Sequence, residues 1–283
     1  MNTGETAVAL EEKSAVLAFV MLGYTLYGTR ELHQMQLSAR SFFSALAALF
    51  VAVFLAQTAS AADSAWLDVE GRIQYGFYTE DTRSLFDIAD QLAHSEGERQ
   101  PLRYYYAGLA NYRLAQLLEA KDKEHAREAI ERCTDNLDKA VKAETNFAAG
   151  FALQSACLRT MAALKPWKAM AGSKSTGQME RAVKLAPRDP RVLLLEALGN
   201  GEEAKIDERS FVTLRKATDA FESERQGIDP TPGWGAAEAY THLGRGYLER
   251  GDVLKARDAL ERALLIAPDF VRARRLLLQI TSG

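Results

Sequence analysis

Residues 237–268 read AEAYTHLGRGYLERGDVLKARDALERALLIAP, and this stretch decides the fold of the chain. Apolar and small residues recur in it at the spacing of helix faces. They are Tyr240, Leu243, Gly244 and Tyr247 in the first half and Ala256, Leu260 and Ala263 in the second. The pair Gly251-Asp252 breaks the first helix, and Pro268 ends the second. The stretch therefore predicts two short helices joined by a tight turn.

Residues Tyr240 to Pro268 follow a recognisable motif. It consists of aromatic-x2-Leu-Gly-x2-Tyr, then Ala-x3-Leu, and finally Pro, and it resembles the tetratricopeptide repeat. Two antiparallel helices approach closely in such a repeat, which requires small residues such as Gly244 and Ala256 at the contact. One helix pair cannot bury its apolar face alone. The resemblance therefore implies neighbouring helix pairs in the rest of the chain.

The chain from Ser64 onward has helical periodicity and no sustained strand-like alternation. Residues 182–187, AVKLAP, have the same form as ALLIAP at 263–268, 81 residues later. The predicted helix pairs cover 65–93, 102–143, 146–186, 190–225 and 237–268, and a last helix covers 270–280. We predict an all-α fold, a right-handed superhelical α-solenoid of about five tetratricopeptide-like helix pairs plus a C-terminal capping helix.

Residues that interrupt helices predict two long connections, at 165–173 and 227–235. They contain Trp167 and Trp234, which we expect to plug the edge of the helix stack. Residues 232–240 are also similar to a subgroup of exported bacterial repeat proteins, a resemblance that implies no activity.

The composition and motifs exclude several functional classes. A net charge of −3, with both signs mixed along the helices, argues against a nucleic-acid partner. The sequence contains no G-x-S-x-G, G-x-x-x-x-G-K-[ST] or H-E-x-x-H motif. His94, His125 and His242 are far apart in sequence and are expected at the surface. We therefore predict no metal site and no cofactor.

Residues 35–61 have the three parts of a secretory signal. Arg40 supplies a positive charge, residues 42–56 form an uncharged apolar run, and Ala59-Ser60-Ala61 is an A-x-A cleavage site. Cleavage after Ala61 would leave a periplasmic or secreted protein that begins at Ala62.

An uncleaved anchor is the alternative, because the charge-free stretch 41–62 has the roughly 20 residues needed to span a bilayer. The helical domain would then be anchored in the inner membrane. Residues 1–34 fit a signal poorly, since a signal begins the chain. Either Met35 is the true start and 1–34 is an extension, or the N-terminus forms two membrane-associated helices. The helical repeat domain is predicted to cover 62–283.

The two cysteines stand at equal distances from a predicted turn. Cys133 and Cys157 are each 12 residues from Thr145. Both therefore lie about 18 Å along their helices from the turn, so that antiparallel packing brings them to the same level. An oxidising compartment permits a disulfide between them; alternatively, they are small buried packing residues.

The concave side, lined by the first helix of each pair, is the expected binding surface, because stacked pairs curve and leave this side open. Seven residues are predicted to lie there: Tyr105, Leu109, Tyr112, Arg159, Thr241, Arg245 and Leu248. Tyr and Arg are side chains that often dominate binding energy. Alternatively, Tyr105 and Tyr112 fill the space between helices.

These features predict a non-enzymatic scaffold of the periplasm or cell envelope that binds a protein or peptide in its concave groove. It would contact a membrane only if the signal segment stays uncleaved. An enzyme that uses the loops around Trp167 and Trp234 is a further alternative, and it requires a convergent polar cluster in a pocket. The acidic residues 202–203, Glu222 and Glu224 are expected to be solvated helix ends.

Overall fold

The computed structural model describes residues 66–94, 100–165, 170–224 and 232–281. Within these ranges the chain forms eleven α-helices and no β-strand, which confirms the all-α prediction. None of the described helices is both long enough and apolar enough to cross a membrane. The predicted extension at 1–34, the predicted signal segment at 35–61, and Trp167 lie outside the described residues.

The eleven described helices follow one another in chain order. They are α1 (described over 66–78), α2 (Thr82–His94), α3 (Gln100–Leu118), α4 (Lys123–Ala143), α5 (Ala148–Leu164), α6 (Met170–Leu185), α7 (Pro190–Ala197), α8 (Glu208–Glu224), α9 (Ala236–Leu248), α10 (Val253–Ile266) and α11 (Val271–Thr281). They lie where the periodicity predicts helices. One connection differs, because Gly172 and Ser173 belong to α6 and not to a long loop.

Capping side chains and a glycine set several helix boundaries. The carboxylate of Asp122 accepts a hydrogen bond from the backbone nitrogen of His125 at 3.2 Å, at the start of α4. Asp252 accepts one from Lys255 at the same distance, at the start of α10. Gly251, with φ at 76°, closes the turn after α9 in the left-handed region that favours glycine. These boundaries follow directly from the local sequence.

Helices α4 and α5 pack antiparallel. Arg127, near the start of α4, donates from Nε to the backbone oxygen of Leu164, the last residue of α5, at 3.1 Å. Between these ends, a disulfide joins Cys133 to Cys157, whose Cα atoms are 6.2 Å apart. Both cysteines are fully buried, so the disulfide lies inside the packed interface.

In two helix pairs, a glycine lies in close contact with a leucine of the partner helix. A Cβ at Gly108 on α3 would lie 2.7 Å from Cγ of Leu137 on α4. A Cβ at Gly244 on α9 would lie 2.8 Å from Cγ of Leu260 on α10. The pairs α3–α4 and α9–α10 therefore use the same contact, which is the one that residues 237–268 predict.

The odd-numbered helices also contact one another. Contacts join α3 to α5, α5 to α7, and α9 to α11. The Tyr78 ring of α1 packs against Phe270, just before α11, with ring centroids 4.5 Å apart. Arg275 of α11 donates to Glu80, just after α1, at 3.0 Å. The end of the first described helix therefore lies against the start of the last one.

Replacing Gly244 by valine is expected to lower the free energy of unfolding by about 1–3 kcal/mol, because the new side chain overlaps Leu260. Gly177→Val on α6 is the matched control, since a Cβ at Gly177 meets nothing within 4 Å. Urea denaturation measures both variants beside the wild type. An unchanged unfolding midpoint for Gly244→Val would show that α9 and α10 are not so close.

Candidate functional site

Polar and aromatic side chains fill the interior between α1, α3 and α9. We call them the central cluster, which consists of Glu70, Tyr78, Tyr105, Tyr106, Arg113, Trp234 and Glu238. The members come from three separate stretches of the sequence, 70–78, 105–113 and 234–238, and the hydrogen bond from Tyr78 to Glu238 spans 160 positions. The cluster therefore exists only in the folded chain.

Arg113 and Glu238 form a buried ion pair within the central cluster. Nη2 of Arg113 donates to Oε1 of Glu238, and both side chains are at most 4% exposed. The hydroxyl of Tyr78 donates to the other carboxylate oxygen at 2.8 Å. The guanidinium also lies over the rings of Phe77 and Trp234, at 4.1 and 4.9 Å from their centroids. One buried carboxylate thus ties α1 and α3 to α9.

Glu70 holds the segment that precedes α9. Its two carboxylate oxygens accept from the backbone nitrogen of Gly233, each at 3.0 Å, and one accepts from the Tyr106 hydroxyl at 2.8 Å. Burial raises the pKa of Glu70, and these hydrogen bonds oppose the rise. Trp234 is 3% exposed and donates from Nε1 to the Tyr105 hydroxyl at 2.7 Å. Trp234 therefore packs in the interior.

A second network surrounds Glu202 in the loop between α7 and α8, and we call it the loop network. Glu202 accepts hydrogen bonds from the Tyr112 hydroxyl at 3.1 Å and from the Gln116 amide. Arg272 donates to it at 3.3 Å, and Nε2 of His242 lies 3.6 Å away. The expectation that Glu202 is solvated is wrong, because side chains from α3, α9 and α11 close over it.

The loop network shifts the pKa values of two of its members. Burial alone raises the pKa of Glu202, but the hydrogen bond from His242 and the positive charges of Arg272 and Arg113 outweigh burial and lower this pKa. Burial also lowers the pKa of His242, whose side chain is 4% exposed. His242 therefore favours its neutral form, and the expectation of a surface histidine is wrong for it. The other two described histidines are exposed.

The acidic residues at the end of α8 also make specific contacts. The two carboxylate oxygens of Glu224 accept from Nη1 and Nη2 of Arg191, at 2.8 and 2.5 Å. Arg191 is only 1% exposed, so Glu224 compensates a charge that is removed from water. Glu222 accepts from the Tyr240 hydroxyl at 2.8 Å. Both residues therefore tie α8 to neighbouring helices.

The seven residues predicted on an open concave surface do not form one. Four are at most 1% exposed: Tyr105, Leu109, Tyr112 and Thr241. The side chain of Arg245 is 12% exposed, and Arg159 and Leu248 are half-buried. The prediction that these positions face an open groove is wrong, because the central cluster and the loop network occupy that space. The alternative interpretation of the tyrosines, that they fill space between helices, agrees with their burial.

The outer surface has a pocket between α2, α3 and α4, which we call the outer pocket. Its volume is about 280 Å³, and its lining residues are Thr82, Arg83, Phe86, Leu114, Leu118, His125, Glu128, Ala129 and Arg132. Phe86 is 47% exposed, and Arg132 lies 5.8 Å from its ring centroid. The sequence interpretation missed this pocket. The available signal was Phe86 itself, a large aromatic side chain beside the buried face of α2.

The charges around the outer pocket are unevenly matched. Arg132 lies 3.6 Å from Glu128, and Nδ1 of His125 lies 2.6 Å from Asp122. The hydrogen bond and charge of Asp122 raise the pKa of His125. Arg83 is exposed and makes no ion pair with any residue in the described part of the chain. The pocket therefore combines apolar walls with a cation, Arg83, that has no ion-pair partner among the described residues.

Comparisons with known proteins assign no family. No family model matches the chain, and no curated protein matches it in sequence. Among the residues that the structure describes, no group of three or more His, Cys, Asp or Glu side chains could hold a metal ion. The functional proposal therefore depends on the interior clusters and the outer pocket.

Arg113→Met is expected to lower the free energy of unfolding by about 3–5 kcal/mol, because it leaves the buried Glu238 carboxylate without its cation. Arg257→Met, which removes an exposed ion pair with Glu261, is the control and should lower stability far less, because water screens that pair. Urea or thermal unfolding compares the two. Equal losses would contradict the role of the central cluster as a tie between helices.

We expect the protein to lose stability as the pH falls below about 6.5, the unfolded pKa of histidine. A histidine whose folded pKa is lowered contributes stability above its unfolded pKa of about 6.5, and that contribution is lost as the pH falls through the folded pKa. His242→Gln should remove this part of the pH dependence. Urea unfolding at a series of pH values measures it.

His125→Gln is the control, because it should change the pH dependence of stability in the opposite direction. The raised pKa of His125 gives stability that is present at low pH and lost as the pH rises through its folded pKa. In His125→Gln, the free energy of unfolding should therefore fall more steeply than in the wild type as the pH is lowered. A pH dependence that is the same in His242→Gln and in the wild type would contradict the assignment to His242.

Proposed function

We propose that the chain is a non-enzymatic scaffold that binds a protein or peptide partner in the bacterial periplasm or cell envelope. In this proposal the helices are tetratricopeptide-like pairs, stacked as a right-handed superhelical solenoid with a capping last helix. The shared glycine–leucine contacts of α3–α4 and α9–α10 support the repeat. The signal-like features of 35–61 support export, and an uncleaved anchor at 35–61 is the alternative.

The partner binds the outer surface in this proposal, and one observation carries that step. The central cluster fills the interior with the chain's own side chains, among them the ion pair of Arg113 and Glu238. A partner that entered there would have to separate this pair, at a cost of about 3–5 kcal/mol. The interior is therefore the less favourable place for a partner to bind.

The outer pocket requires no such rearrangement. Its walls are formed by side chains of three consecutive helices, and Phe86 is already 47% exposed. Exposed aromatic side chains are enriched in protein interfaces, and pockets that receive a partner side chain concentrate binding energy. The enzyme alternative around Trp234 gains no support, because Trp234 is 3% exposed.

Phe86→Ala is expected to reduce recovery of the partner at least about fivefold in affinity capture from the native cell envelope, because the pocket loses its exposed aromatic wall. Leu254→Ala is the matched control, since Leu254 is 78% exposed on α10 and outside the pocket. The amount of each co-purified protein is measured for wild type and both variants. A partner lost equally from both variants, or from neither, would contradict docking at the outer pocket.

A further inference from the structure

We propose that the outer pocket recognises a segment of the partner that presents an apolar side chain beside a carboxylate. This inference rests on the proposed scaffold function and adds the chemistry of the occupant. It depends on the pocket's size, on the apolar character of its walls and on the unmatched charge of Arg83.

The size and walls of the outer pocket suit one or two side chains. A volume of about 280 Å³ lies just below the range of about 300–1,000 Å³ that is typical of small-molecule sites. Leu114 and Leu118 of α3 and Ala129 of α4 line it together with Phe86. Burying an aliphatic side chain against these walls is favourable, because apolar surface leaves water on both sides of the contact.

The charges of the pocket favour a singly charged anion. Arg132 and His125 already have carboxylate partners, in Glu128 and Asp122 respectively. Arg83 has none within the described residues, so an incoming carboxylate would be its first counter-charge. Glu128 also lines the pocket and repels a group with two negative charges. A carboxylate therefore fits the pocket better than a phosphate does.

The spacing of Arg83 and Phe86 defines where the two groups of the occupant must lie. The two residues are three positions apart on α2, which places them on one face with Cβ atoms about 5–6 Å apart. In an extended partner segment, side chains two positions apart point to the same side. A leucine and an aspartate at such positions could therefore contact Phe86 and Arg83 together.

Two peptide probes that differ in one group test this inference on the full chain. They are N-acetyl-Ala-Leu-Ala-Asp-Ala-amide and its neutral twin with asparagine in place of aspartate. Their affinities are measured by saturation-transfer NMR titration at millimolar peptide. The aspartate peptide should bind about three- to fivefold more tightly than its twin, as expected for one exposed ion pair. Added salt should reduce the difference.

Three variants identify the groups responsible. In Arg83→Gln, the aspartate and asparagine peptides should bind with equal affinity. Arg188→Gln, at an exposed arginine outside the pocket, should leave the difference between the two peptides unchanged. Phe86→Ala should weaken both peptides. Equal affinities on the wild type, a difference that persists in Arg83→Gln, or no saturation transfer to either peptide would overturn the inference.

The outcomes separate this inference from the proposed function. If Phe86→Ala abolishes partner capture while the two peptides bind equally, the scaffold docks at the outer pocket but recognises no carboxylate. If partner capture is unaffected by Phe86→Ala, the proposed docking site itself fails. Tighter binding of decanoate than of the aspartate peptide would identify a lipid-like occupant and overturn the inference in favour of a fatty acid.

Discussion

The buried carboxylate of Glu238 is the constraint on which the arrangement of the described helices depends. Removing a charge from water costs several kcal/mol unless partners compensate it. Arg113 of α3 and Tyr78 of α1 provide that compensation by donating hydrogen bonds to Glu238. The same hydrogen bonds hold both side chains in position. Glu70 acts in the same way, because it binds the Tyr106 hydroxyl and the backbone nitrogen of Gly233. Two carboxylates therefore determine how α1 and α3 meet α9.

This arrangement gives the interior a structural role. Aromatic rings and charge-assisted hydrogen bonds occupy the space between the odd-numbered helices, and Glu202 brings the loop between α7 and α8 into the same interior. Hydrogen bonds strengthen in a low-dielectric environment, so these networks favour one packing of the helices. On the outside, by contrast, the outer pocket leaves the side chains of Phe86 and Arg83 exposed.

The helices and their closest contacts were predictable because their causes are local. Apolar periodicity predicts where the helices lie. The turn between α9 and α10 is predicted by Asp252, which caps the start of α10, and by Gly251, which adopts a left-handed φ. Gly244 indicated the close approach of α9 and α10, since only a small residue fits there. The site was not predictable in the same way. Counting positions along the motif assigned Tyr105 to an open groove, but it could not show which distant segment covers that tyrosine.

The sequence by itself determined an all-α chain, the positions of its helices and the glycine–leucine contacts between neighbours, because each depends on residues within about two helical turns or one connection. Only the tertiary structure decided that the inner side is filled and that an accessible pocket lies between α2, α3 and α4. Arg113 and Glu238 are 125 positions apart, and neither side chain alone reveals the other. Burial of a charge is a property of the whole packed interior, so it appears only when the distant helices meet.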